Sequence, residues 1–202
     1  MRSHSSTPAT PSALTPVLTI ALKEWAVAVN ALAKGETMLL LRKGGIKENQ
    51  GKFSPAAEQV VLLPTFEHQK PELLKPAYRE AVHPVETGWH PDSITLTAWA
   101  TITDIFLTHD EDKVAALSEF HIWLPTLAQE RLKWKPQQPL YVLALRAYRF
   151  STPVTLPWDE AYGGCRSWVS LKESMTVEGS EAAMPAGTYQ EKVKAIANIL
   201  EC

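Results

Sequence analysis

The chain has 202 residues, 45% of them hydrophobic, and a formal net charge of -2; that suffices for one real core and excludes a histone-like or globally polybasic binder, because non-specific phosphate attraction scales with the cations presented. Two cysteines, Cys165 and Cys202, exclude a disulfide framework and an all-thiolate zinc cluster, so a reducing, cytoplasmic setting is expected. No apolar run approaches the roughly 20 residues of a membrane helix, and the N-terminus lacks the apolar stretch of a secretory signal, so a soluble protein without membrane contact is expected.

Residues 1–18 are rich in Ser, Thr and Pro and bury too little surface to offset their ordering entropy, which predicts a disordered tail. Residues 19–202 read as a single globular domain. Leu22, Trp25, Val29 and Leu32 recur at helical spacing and Gly35 sits at the C-cap position, predicting an amphipathic helix over 19–34. A strand is expected over 36–41, a glycine-bearing loop over 43–52, and a short strand over 59–63 ended by Pro64. Residues 71–82 read as a helix interrupted by Pro76.

Strict alternation over 94–103 predicts a half-buried strand with a register break near Asp104. Helices are expected over 110–120 and 126–134. The run over 140–150 is apolar on both sides apart from Arg146 and Arg149, which places it centrally in a sheet. A further strand over 167–171, a small-residue linker over 179–187 and a terminal helix over 189–200 complete the reading. Strands and helices mix without regular alternation, so the expected class is α+β: a small mixed sheet or partly closed barrel flanked by helices.

Four groups of residues could carry chemistry. Arg42, Lys43, Lys47 and Lys52 surround Gly44, Gly45 and Gly51; glycines let backbone N–H groups approach an anion, and the alternative is a solvated connection. The stretch 131–158 holds Arg131, Lys133, Lys135, Arg146 and Arg149 with no Asp or Glu, interleaved with Trp134, Tyr141, Tyr148 and Phe150. Cations beside aromatic faces are the composition of nucleic-acid surfaces, the alternative being core aromatics with cations along a sheet edge.

Pro91-Asp92 followed by Glu111-Asp112-Lys113 matches a loose nuclease pattern in which two carboxylates hold a divalent metal and a lysine assists the water. Glu111 and Lys113 nevertheless read as an acid-rich helix start. His83, Glu86 and His90 form an unspecific candidate metal set. Cys165 lies between Gly164 and Arg166 and reads as a buried structural cysteine.

Several blocks carry a family resemblance: Ala-Leu-Lys-Glu-Trp-Ala at 21–26, Leu-Leu-Leu-Arg-Lys-Gly-Gly-Ile at 39–46, Leu-Pro-Thr-Phe-Glu-His-Gln at 63–69, Phe-His-Ile-Trp at 120–123, and Gly-Cys-Arg-Ser-Trp at 164–168. Together they resemble a bacterial family, frequent in cyanobacteria, catalogued as domain of unknown function 1802, over roughly 19–171. The resemblance implies a role near DNA restriction or modification, with restriction-system proteins as partners, because some relatives occur with Mrr-type endonuclease domains. The segment 35–42 also resembles the Gly-x-Lys-x-x-Glu-x-Arg element of ASCH and PUA-like barrels, with Gly35 and Arg42 in register and Thr37 and Leu40 replacing its Lys and Glu. That implies a PUA-like scaffold, a class that binds RNA or modified bases.

The expected function is non-catalytic nucleic-acid recognition, extending to a modified base, with no cofactor and no metal. Arg42, Lys43, Gly44, Gly45 and Lys47 would contact the backbone, Arg131, Lys133 and Arg146 would extend the patch, and Trp134 or Trp168 would stack on a base. A metal-dependent nuclease using Asp92, Glu111 and Lys113, helped by Glu67 and His68, is the first alternative. A protein-interaction module using Trp123-Leu124-Pro125 and Leu156-Pro157-Trp158 is the second. For Arg42 itself the alternative to binding is an ion pair with Glu67.

Overall fold

The first described segment departs from the expected helix. In the computed structural model, which describes residues 16–44, 47–49 and 52–201, Val17–Trp25 is a strand (β1) and only Ala26–Lys34 is helical (α1). Burial on both faces explains the difference. Leu18 and Ala21 join one apolar cluster and Leu22 another, so β1 lacks the alternation of a half-buried strand and its apolar residues fall at helix-like spacing. Val17 and Leu18, expected in the tail, belong to β1; residues 1–15 lie outside the described residues.

Helix α1 is enclosed rather than amphipathic. Ala26, Val27, Ala28, Val29, Ala31, Leu32 and Ala33 are all buried, and the small side chains let the surrounding sheet approach closely. Trp25 offers no side-chain cap; instead Gln69 Oε1 accepts the Val27 N–H at 3.1 Å, satisfying a donor that the helix leaves free. At the other end Gly35 takes φ 72°, with its N–H on the Leu32 carbonyl and that of Glu36 on Ala31, the Schellman arrangement expected of a C-cap glycine. A Cβ at Gly35 would lie 2.4 Å from the Ala183 carbonyl oxygen, so close approach as well as φ demands glycine there.

The remaining strands are Leu39–Arg42 (β2), Lys47–Asn49 (β3), Lys52–Ser54 (β4), Gln59–Thr65 (β5), Ser93–Thr108 (β6), Leu140–Pro157 (β7), Trp168–Thr176 (β8) and Glu181–Ala182 (β9). One sheet runs in the order β2-β7-β6-β5-β1-β8, with β9 also on β7, while β3 and β4 form a separate hairpin that starts inside the expected glycine loop and runs past its end. The β1–β5 pair is parallel and all others are antiparallel. This is the mixed α+β class expected.

Strand β5 passes through Pro64 rather than stopping there. Its ladder with β6 covers only Gln59–Val61, so at Pro64 the missing N–H leaves no partner unpaired on that side. The long β6–β7 ladder shifts register between Leu96 and Ala98 and again between Ile102 and Asp104, the break expected near Asp104, and such bulges bend a strand. The sheet therefore curves around α1 but does not close: its edge strands β2 and β8 share no ladder, and Arg42 Nη2, on β2, donates to Oγ of Ser167, the residue before β8, at 2.7 Å.

Inside the curve, α1 packs on Leu22, Leu40, Val60, Leu62, Ala98, Ala100, Leu143 and Leu145. Outside it, Leu39, Leu41, Val142 and Ala144 are covered by three helices: Glu111–Ala116 (α3), Pro125–Lys133 (α4) and Ala186–Glu201 (α5). A short α2, Pro76–Arg79, and a 3-10 turn at Pro71–Leu73 replace the single helix expected over 71–82, since each proline lacks the N–H a continuous helix requires. Asp110 caps α3, accepting from the backbone N–H groups of Asp112 and Lys113. Among the described residues no helix is long and apolar enough to cross a membrane.

His121 is buried beside Trp123, and neither ring nitrogen makes a hydrogen bond of ordinary geometry. Burial, reinforced by the Lys75 charge, lowers its pKa from 6.5 to about 4. The folded state thus resists a proton that the unfolded chain accepts, so stability present above pH 6.5 is lost as pH falls towards 4. The linked loss is about 3 kcal/mol. Urea titrations at several pH values are expected to show this fall, and His121→Phe to flatten it; an unchanged pH slope in the variant would refute the assignment.

Candidate anion-binding site

Parallel β1 and β5 end together at Trp25 and Thr65, and beyond such carboxyl ends a curved sheet leaves room for a ligand. A cavity of about 550 Å³ opens there, lined by Lys23, Glu24, Trp25, Arg42, Thr65, Glu67, His68, Thr87, Gly88, Arg131 and residues 164–167. Strand periodicity explains its charge. Glu24 shares a strand face with Leu22, and Arg42 with Leu40, so both side chains sit on the inner face at the mouth, where the apolar interior ends. On α4, Arg131 lies one turn beyond the buried Leu127 and reaches the same place.

The cations differ in what they do. Arg42 Nη1 donates to Glu24 Oε2 at 2.9 Å and Nη2 to Ser167 Oγ, with the two ionic side chains only 12% and 8% exposed. Glu24 Oε1 accepts the Trp25 N–H at 2.9 Å. The Lys23 ammonium donates to the carbonyls of Tyr162, Gly163 and Gly164 at 2.7, 3.0 and 2.5 Å, fastening that loop as one rim of the cavity. Burial lowers the Lys23 pKa, and the nearby Cys165 and Glu67 partly raise it again.

Arg131 stands apart. Its Nε is buried without a partner, and among the described residues its guanidinium makes no hydrogen bond. Burial lowers its pKa, the Glu24 carboxylate raises it in part, and Arg42 lowers it further; a guanidinium nevertheless remains charged. Arg166 is exposed at the rim, likewise without a hydrogen bond among the described residues.

The opposite rim is the loop after β5. His68 takes φ 60°, a left-handed conformation costing roughly 1–2 kcal/mol in a non-glycine residue, and its exposed ring lines the cavity. Glu67 Oε1 accepts the Gly88 N–H at 2.6 Å. Adjoining along Lys23, Thr65 and Glu67 is an aromatic ledge: Phe66 meets Trp89 edge-on at 5.9 Å, His90 stacks on Trp158 at 4.4 Å, and Trp158 meets Tyr162 edge-on. Trp89 is 44% exposed.

The residues expected from sequence divide accordingly. Arg42 and Arg131 come together, joined by Arg166. Arg42 pairs with Glu24, not with Glu67, because β1 rather than a helix carries Glu24 to the mouth. Lys43 points elsewhere: it is buried and its ammonium donates to the Lys135 and Gln138 carbonyls. Gly44 takes φ 107°, while Gly45 and the Lys47 side chain lie outside the described residues.

Lys133 and Trp134 are exposed at the end of α4, with Lys135 Nζ 4.5 Å from the Trp134 ring centroid. Trp168 starts β8 and packs on the inner core. Arg146 does not join the group; it lies beneath α5 in a separate cleft with Thr103, Asp104 and Tyr189, 5.5 Å from the Tyr148 ring. Cys165, expected to be buried, is exposed in the cavity.

The alternative groupings are not assembled. Asp92 precedes β6, whereas Glu111 and Lys113 follow it on α3, so sixteen strand residues separate them, a contour of about 50 Å. Among the described residues no group of three or more His, Cys, Asp and Glu could hold a metal. Trp123 is buried at 2% exposure and Trp158 is packed between His90 and Tyr162, so neither proline-flanked loop presents a free tryptophan. Sequence reasoning missed Lys23, Glu24, Thr87 and Trp89 as contributors. Thr87-Gly88-Trp89, a turn glycine beside an aromatic in a polar stretch, was the available signal.

An open α+β sheet curved around an internal helix, with a cationic cavity where its parallel strands end, is the type of domain that this geometry defines. The chain belongs to the family described as domain of unknown function (DUF1802), whose profile matches residues 21–195. No curated protein matches it. Among solved structures it is similar to ASCH from Zymomonas mobilis, at 10% identity over 87% of this chain and 93% of that one, with a TM-score of 0.45. A point mutant of that protein gives 10% identity over 76% and 90%, also with a TM-score of 0.45.

The two inner arginines are expected to behave oppositely when removed. Arg42→Met leaves Glu24 buried and unpaired and should cost about 3 kcal/mol of stability. Arg131→Met removes a half-buried charge that holds no hydrogen bond among the described residues and should leave stability unchanged or raise it. Urea unfolding midpoints measure both; equal losses would show that Arg131 has a structural partner.

Proposed function

We propose that the cavity and the ledge beside it bind a single nucleic-acid strand, a phosphate resting on Arg131 and Arg166 and a base stacking on Trp89. The observation carrying this reading is the half-buried Arg131 guanidinium, whose Nε is shut off from water and which makes no hydrogen bond among the described residues, in a cavity that holds four cations against two carboxylates. Such a group is costly to bury, and an anion reaching it would recover strong charge-assisted hydrogen bonds. The volume lies within the about 300–1,000 Å³ of small-ligand sites, enough for one nucleotide, a modified base included.

The role is recognition, since the arrangement supplies phosphate donors and a stacking face while Asp92 and Glu111 flank β6 at its two ends. In this reading the domain serves as the recognition element beside a DNA restriction or modification enzyme, as the family resemblance implies. Arg42 holds the seam and contributes charge rather than a free fork.

Anisotropy titrations of a fluorescent single-stranded 20-mer, as DNA and as RNA, at several salt concentrations test the reading. Arg166→Ala should weaken binding for all sequences and reduce the salt slope by about one phosphate contact. Trp89→Ala should cost about 1–3 kcal/mol, the usual worth of a base stacked on an aromatic ring. No binding by either strand at low salt, or wild-type behaviour of both variants, would overturn it.

A further inference from the structure

We infer that the phosphate taken by this cavity is a terminal phosphomonoester at the end of a strand, not an internal phosphodiester. The inference rests on the nucleic-acid reading above and specifies its ligand. Charge is the first argument. Lys23, Arg42, Arg131 and Arg166 face Glu24 and Glu67 in one cavity, an excess of two positive charges. A diester brings a single negative charge, whereas a monoester at pH 7 brings about -1.5 to -2 and three acceptor oxygens.

Donor supply is the second argument. Arg42 is committed to Glu24, Ser167 and the Lys23 carbonyl, and Lys23 to three loop carbonyls. Arg131 and Arg166 make no hydrogen bonds among the described residues. Two open guanidinium forks match the three oxygens of a monoester better than the two free oxygens of a diester.

Topography is the third. The floor is the Arg42–Glu24 pair above the apolar interior, and one rim is the loop held by Lys23. The aromatic ledge adjoins along Lys23, Thr65 and Glu67, which gives a chain a path out. A terminal phosphate needs one exit; an internal phosphate needs two.

The test is equilibrium binding of the full chain to one oligonucleotide sequence made with a 5′-phosphate, with a 3′-phosphate, or with hydroxyls at both ends, and to adenosine monophosphate alone. One phosphorylated end should bind about tenfold tighter or more than the hydroxyl form. That preference should shrink as pH is lowered through about 6, where the monoester loses its second charge, and Arg131→Gln should reduce it to less than about twofold. Arg166→Gln, on an exposed side chain, should also reduce it and serves if Arg131→Gln does not fold. Equal affinity for all three strands overturns the terminal-phosphate inference and leaves strand binding standing. Binding of none of them overturns the proposed function itself, and adenosine monophosphate binding as tightly as the phosphorylated strand keeps the phosphomonoester site while overturning the contribution of the ledge.

Discussion

The Arg42 guanidinium is the constraint on which the architecture turns. It joins the end of β2 to Glu24 and the Lys23 carbonyl on β1 and to Ser167, the residue before β8, so a sheet with two free edges behaves as a nearly closed one. A backbone ladder would have sealed those edges completely. A side-chain bond instead leaves a gap beyond the strand ends, and that gap is the cavity. Holding an ion pair in so sheltered a place is tolerable because each oxygen of Glu24 and both terminal nitrogens of Arg42 are occupied.

Below this seam the strands turn apolar side chains inward, and the change from one regime to the other takes a single strand step. Leu22 to Glu24 and Leu40 to Arg42 are each displaced by two residues on the same face. Helix α1 fills the space beneath, and its Val27 N–H is met by Gln69 from the loop that also carries Glu67 and His68. The packing that encloses α1 therefore also positions one wall of the cavity. Arg131 comes from outside the sheet, on α4, which ties the covering helices to the same mouth.

Legibility followed the kind of signal each segment carried. Where one face is buried, periodicity is clean: the strand over 94–103 and its break at Asp104 were readable, as was the terminal helix from its apolar stripe. Strand β1 was not, because it is packed on both sides and its Leu22 and Trp25 fall at a spacing that a helix also satisfies. That single misreading hid Glu24, which a helix would have placed away from Arg42, and moved the expected partner to Glu67. Lys43 shows the converse limit: sequence reveals a cation beside glycines but not that its stem turns inward to the Lys135 and Gln138 carbonyls. Arg146 belonged to the same acid-free stretch as Arg131, yet strand and helix carry them to different clefts.

By itself the sequence determined the mixed α+β class, the C-cap at Gly35 and the family, and it singled out Arg42 and Arg131 as candidates, since local propensity, turn chemistry and charge composition are properties of short stretches. Only the tertiary structure decided which cations share a cavity, that among the described residues Arg131 makes no hydrogen bond while both terminal nitrogens of Arg42 are engaged, and that Trp89 rather than Trp134 stands beside them. Those facts depend on contacts between residues such as Glu24, Arg42, Arg131 and Ser167, which are distant in the chain. Sheet curvature brings them together, and curvature arises from bulges and from packing around α1 rather than from any one segment's preference.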